Sequence, residues 1–292
     1  MVYYFLLILA TVSGTVKSLV LKKLGKDFDR ANGIYLLNSL MLFLASAFIG
    51  AYTLFVIRDF KISVFSFVLS LVFGSSIVLS QLLEAHAMKR GPVSMTALIY
   101  SLGLIFPIIY GSIFLSEEIS FMQLLGMALA LFSLYFIVNP EKSGKINLPW
   151  LSLAIAASFC AGMNGIIQKV QQNSEYRSEL YPFIFLSLLF AAVFSLVCAF
   201  FTADKSGNNS EKKPKLDLRF ILVGGIAIAL VNILNLVLAG KIEAVVQFPA
   251  YNIGGMILTV VGGRLIFGEK MSKNQIVGLV IGCASILIIG LL

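Results

Sequence analysis

SEEISFMQLLGM, residues 116–127, separates two long apolar runs, and GEKMSKNQIVGL, residues 268–279, separates two more. At one offset of 152, Glu117 matches Glu269, Ser120 matches Ser272, Gln123 matches Gln275 and Gly126 matches Gly278. That offset also superimposes the hydropathy of the two halves, and pairs Ala87 with Ala239, Lys89 with Lys241 and Tyr100 with Asn252. In the first apolar run of each half the offset is 147, pairing Lys22 with Lys169 and Lys17 with Asn164, a drift that loop lengths explain. Self-similarity at a nearly fixed period marks a duplicated unit.

The 292 residues are 59% hydrophobic and only 12% charged, where a soluble domain carries about 25% charge. Mean hydropathy is +0.96. Lipid, not water, must meet most of such a surface. A helix needs about 20 apolar residues to cross the hydrocarbon core. Ten runs qualify: 2–21, 32–57, 62–88, 93–115, 120–138, 150–170, 180–202, 218–240, 244–267 and 273–292. The opening run has no Lys or Arg ahead of it and a poor cleavage pattern, so it reads as a span rather than a signal peptide. The expected fold is an all-α integral membrane protein: a five-helix repeat at 1–139, a linker at 140–149 and a second repeat at 150–292. Because five is odd, the second copy enters the membrane in the opposite sense, which produces inverted-topology repeats. The polar segment 202–219 reads as a solvated loop between spans seven and eight.

Call the membrane side where the first span begins side A, and the other side B. Sixteen Lys and Arg residues fall in side-B turns and five in side-A turns. The net charge of +8 is therefore topology-setting charge beside spans, not a nucleic-acid surface, and it places side B in the cytoplasm with both termini outside. Cys160, Cys198 and Cys283 lie in apolar runs without CxxC spacing and read as small buried hydrophobes, neither disulfides nor metal ligands.

An ionisable group inside a span costs about 2.5–3.5 kcal/mol on insertion scales, so each needs a reason. Lys17 and Glu84 lie at similar depth near the side-B ends of spans one and three, where an ion pair between them is geometrically possible. Three readings compete: Glu84 binds a proton or a cationic group of a solute, the pair neutralises itself, or both side chains snorkel to the interface. Gln81 and Tyr100 complete the side-B polar set; Asn164, Asn232, Asn235, Tyr251 and Asn252 form a counterpart nearer side A. These nine are the candidate solute-binding residues, with interhelical hydrogen bonding as the alternative. His86, the sole histidine, reads as interfacial rather than as a proton relay. Pro107 and Pro249 each interrupt the fourth span of one half and favour a kink there. Gly278 and Gly282 are spaced for close helix packing, within the bundle or at a homodimer face.

The 5+5 pattern, the glutamate turns followed by Gln and Gly, and the lysine-ended first run resemble the drug/metabolite transporter superfamily, in its EamA-type branch. That resemblance implies secondary transport of a small organic solute, through a cavity lined by spans one, three, four, six, eight and nine. It also implies both termini on the cytoplasmic side, opposite to the charge count. It makes the glutamate turns structural. No HExxH, GxSxG or paired acidic motif points to an enzyme, and no GxxxxGK[ST] loop to an ATP-driven pump, so energy must come from a gradient or from exchange. The expected partners are a small-molecule solute and the lipid bilayer, with no cofactor; the competing class is a non-transporting scaffold or receptor.

Overall fold

The computed structural model describes residues 2–25, 31–91, 93–138, 148–201, 217–268 and 271–291. Most of the linker, most of the polar loop at 202–219, and Glu269 lie outside the described residues. The helices are α1 (Val2–Gly25), α2 (Ala31–Tyr52), α3 (Val64–Arg90), α4 (Val93–Ser101), α5 (Ile105–Phe114), α6 (Phe121–Val138), α7 (Leu148–Gln172), α8 (Leu180–Phe201), α9 (Leu218–Ala239), α10 (Ala244–Phe267) and α11 (Lys273–Leu291). Among the described residues, eight helical segments are long and apolar enough to cross a membrane, and two shorter apolar helices occupy Phe121–Ile137 and Lys273–Ile289. All ten expected runs are helical, two of them falling short of that length.

Apolar side chains face outward and small polar ones inward, as expected when the surroundings are hydrocarbon. Phe55, Phe114, Phe200 and Phe201 are exposed, whereas Ser39, Ser46, Ser187 and Ser195 are buried. With no solvent difference to drive helix association, close fit and interhelical hydrogen bonds must hold the bundle. Between α2 and α8, Ser39 donates to the carbonyl of Ala192 at 2.8 Å, Ser46 to that of Phe185 at 3.0 Å, and Ser195 to that of Tyr35 at 2.9 Å. The same outward-apolar rule corrects one expectation. Cys283 is exposed on α11, while Cys160 and Cys198 are half-buried. A thiol is apolar enough for either face.

The repeated turn is a capping box used twice. Ser120 Oγ accepts from the Gln123 N–H at 3.1 Å, and Gln123 Oε1 accepts from the Ser120 N–H at 2.9 Å. Ser272 and Gln275 make the same pair at 3.2 and 2.9 Å. Each satisfies two N–H groups that a helix start leaves unpaired. Ser120→Ala is expected to cost about 1 kcal/mol, seen as a lower thermal midpoint in detergent.

The matching glycines then bring α6 and α11 together. A Cβ on Gly126 would lie 2.6 Å from Ile289 Cγ1, and one on Gly278 would lie 2.6 Å from the Ile137 nitrogen. Ile137 and Ile289 are themselves 152 residues apart, so one contact is made twice with the halves exchanged. Gly282 meets Ile253, Ile257 and Ser133. These glycines pack within the chain.

Pro107 and Pro249 act differently. Between α4 and α5 the chain tightens into a 3-10 turn at Leu102–Leu104, where Pro107 has no N–H for the Gly103 carbonyl. Pro249 lies inside one continuous α10, so the second expected interruption does not break its helix.

Candidate functional site, a two-chambered polar cavity

Contacts at the helix termini define two ends of the bundle. At end A, the last turn of α7 meets the α5–α6 turn and the start of α10 through Lys169, Glu117 and Ala244. At end B, Lys22 at the close of α1 sits 5.4 Å over the Phe267 ring at the close of α10, and Lys23 sits 3.6 Å over the Phe220 ring near the start of α9.

A cavity of about 850 Å³ lies between α1, α2, α3, α4 and α10, reaching Leu21, Ile34 and Val260 toward end B. Its walls carry Lys17, Gln81, Glu84, Tyr100, Tyr251 and Asn252. A second chamber of about 230 Å³ continues inward; Lys17, Gln81, Tyr100, Tyr251 and Asn252 border both, and Asn164, Asn232 and Asn235 line only the inner one. All nine candidate residues from the sequence therefore border these two adjoining chambers. From Val260 to Phe248 the lining follows α10 for twelve residues, roughly 18 Å of helix. The volume of the larger chamber matches those of small-molecule sites.

Lys17 on α1 and Glu84 on α3 line the larger chamber and sense each other's charge, yet they form neither an ion pair nor a hydrogen bond. The direct pair that their depth permits is not made. Tyr100 lies within electrostatic range of both Glu84 and Tyr251. Tyr251 crosses toward α1 at a position kept open by glycine, since a Cβ on Gly14 would lie 2.7 Å from its hydroxyl. Asn232 and Asn252 each direct an amide proton to their own helix, to Ile228 at 2.8 Å and Phe248 at 2.9 Å. Asn164 Oδ1 and Asn235 Oδ1 are buried and accept no hydrogen bond among the described residues, so the inner chamber holds acceptors available to a ligand or to water. His86 keeps its ring on its own helix, Nδ1 lying 2.8 Å from the Leu82 carbonyl oxygen, and does not border the cavity.

Sequence reading missed α2. Asn38 donates to Gln81 Oε1 at 3.0 Å and lines both chambers, and Tyr35 lines the larger one. An asparagine in an otherwise apolar run was the available signal. Also missed was the closure at end A. The ammonium of Lys169, 1% exposed, bonds the Glu117 carboxylate and the Ile242 carbonyl, the latter at 2.8 Å. Glu117 Oε2 accepts from the Ala244 N–H at 2.6 Å, at the first residue of α10. Ser116, with φ 54°, turns the chain so that the Glu117 N–H returns to the Gly111 carbonyl at 3.1 Å.

The family model of the EamA-like transporter family matches residues 1–139 and again 148–291. No curated protein matches the chain. Among solved structures, 29 chains match. One protein crystal structure aligns with a TM-score of 0.76 over 97% of this chain and 96% of its own, at 13% identity, a likeness of fold alone.

Proposed function

Since the chain belongs to the EamA-like transporter family and is an integral, multi-pass membrane protein, we propose that it is a secondary carrier of small organic solutes working by alternating access. In this reading all ten apolar helical segments span the membrane, α4 and α5 forming one span, as two inverted repeats of five. The doubled Gly126/Ile289 and Gly278/Ile137 contact supports it, because inverted copies meet through equivalent residues. The observation that carries the function is the polar cavity reaching from end B into the bundle and stopping above a charged closure at end A. A cavity continuing through both ends would conduct rather than carry.

Lys17 and Glu84, unpaired on facing helices, favour a solute with a cationic group, or one with both charges, and Tyr100 and Tyr251 offer ring faces to its cation. Glu84 is the group that couples transport to protons or to exchange.

The test is counterflow in liposomes with labelled amines, amino acids, sugars and nucleosides. Saturable counterflow of one class is expected. A scaffold would give none with any solute.

A further inference from the structure

We propose that the contact joining Glu117, Lys169 and the start of α10 is a latch that holds end A shut and must open during each transport cycle. The inference rests on the carrier reading above. Its geometry is that of a clamp: one carboxylate on the α5–α6 turn holds α7 through the Lys169 ammonium and α10 through the Ala244 N–H. A Cβ on Gly111 would collide with that carboxylate, so a glycine makes its seat. Gln123 Nε2 reaches Glu243 Oε2 at 3.5 Å beside it, tying the α6 capping box to the same corner.

Position separates a latch from an ordinary staple. Gln168 borders the inner chamber and the next residue is Lys169; Phe248 borders it and Ala244 lies one turn below, about 6 Å along the helix. The helices that meet here, α5, α7 and α10, also form walls of the inner chamber, with Pro107, Asn164 and Phe248 as their lining residues. End A cannot open unless they part.

The chemistry suits two states. With end A closed, the Lys169 ammonium is out of water and Glu117 largely so, which strengthens their hydrogen bonds. With end A open, water reaches both groups and replaces the bonds lost, so neither state leaves a buried charge unpaired. An apolar plug of equal size would penalise opening by exposing hydrocarbon to water. In the sequence the matching residues of the other half are Lys22 and Glu269, the latter outside the described residues.

Spin-label distances test this without any solute. With Cys160, Cys198 and Cys283 replaced by Ser, labels at Met122→Cys and Glu175→Cys report end A, and labels at Lys89→Cys and Leu265→Cys report end B. The closed protein is expected to show one short end-A distance. Lys169→Met and Glu117→Gln should each add a longer end-A population and a shorter end-B one, moving the ratio about tenfold or more. Glu117→Gln keeps an acceptor for the Ala244 N–H, so it serves if Lys169→Met fails to fold. Removing both charges together should bring back the closed distribution, because breaking one partner, not lacking both, leaves a buried charge alone. Distances unchanged in folded Glu117→Gln protein would overturn the latch. Counterflow separates the two readings: shifted distances without counterflow uphold the latch and sink the carrier, whereas counterflow with unmoved distances sinks the latch alone.

Discussion

Glu84→Gln protein in liposomes is expected to accumulate no solute against a gradient under an imposed proton gradient, while exchanging labelled solute at a rate close to the parent's. The carboxylate sits near the end of α3 and lines the larger chamber with Lys17, to which it makes no salt bridge. A carboxylate kept inside a span at a cost of about 2.5–3.5 kcal/mol, and not ion-paired with Lys17, needs a ligand or a proton to justify it. Glutamine preserves the size and a capacity to hydrogen-bond but cannot take up and release a proton. Uphill accumulation at the parental level would remove Glu84 from coupling. Loss of exchange together with accumulation would mean that Glu84 holds the solute itself.

The largest stability effect is expected at Gly162, where α7 crosses the break between α4 and α5. A Cβ there would lie 2.6 Å from the Gly103 carbonyl oxygen and 2.6 Å from Phe106 Cδ2. The reverse is as tight, since a Cβ on Gly103 would lie 2.5 Å from the Ser158 carbonyl oxygen. The obstacles include main chain on both sides, and main chain cannot rotate away as a side chain can. Gly162→Val should therefore cost about 3 kcal/mol or more, and reduce folded yield in detergent as well as the thermal midpoint. Gly255, lining the larger chamber with nothing within 4 Å of its added Cβ, is the control. Gly255→Ala should leave the midpoint nearly unchanged or raise it slightly, since alanine favours helix.

Much of the fold was legible because lipid simplifies the code. Runs such as 218–240 and 244–267 needed only their length and apolarity to be read as helices, and α9 and α10 occupy them almost to the residue. The S-x-x-Q repeats were visible as equivalent turns, although their reciprocal hydrogen bonds were not. The candidate site was legible through its exceptions: Lys17, Glu84 and the asparagines stood out because such residues are costly in a span. Asn38 escaped because a single amide does not reveal which face of its helix looks inward. Glu117 escaped for another reason. It sits in a turn where carboxylates are ordinary, and its partner Lys169 lies 52 residues away, so only the packing of α7 beside that turn makes the pair.

By itself, then, the sequence determined the class of the molecule, its duplicated plan and the identity of the polar residues within its spans. Hydrocarbon leaves a backbone few ways to satisfy its own hydrogen bonds, and a run of apolar residues declares the helix directly. The tertiary structure alone decided which polar groups share a cavity, that Lys17 and Glu84 face it unjoined, and that Glu117 closes its far end on Lys169. Those outcomes depend on how helices rotate and cross, which small residues such as Gly14, Gly103, Gly111 and Gly162 control through distances of a few tenths of an ångström, invisible in the order of residues along the chain.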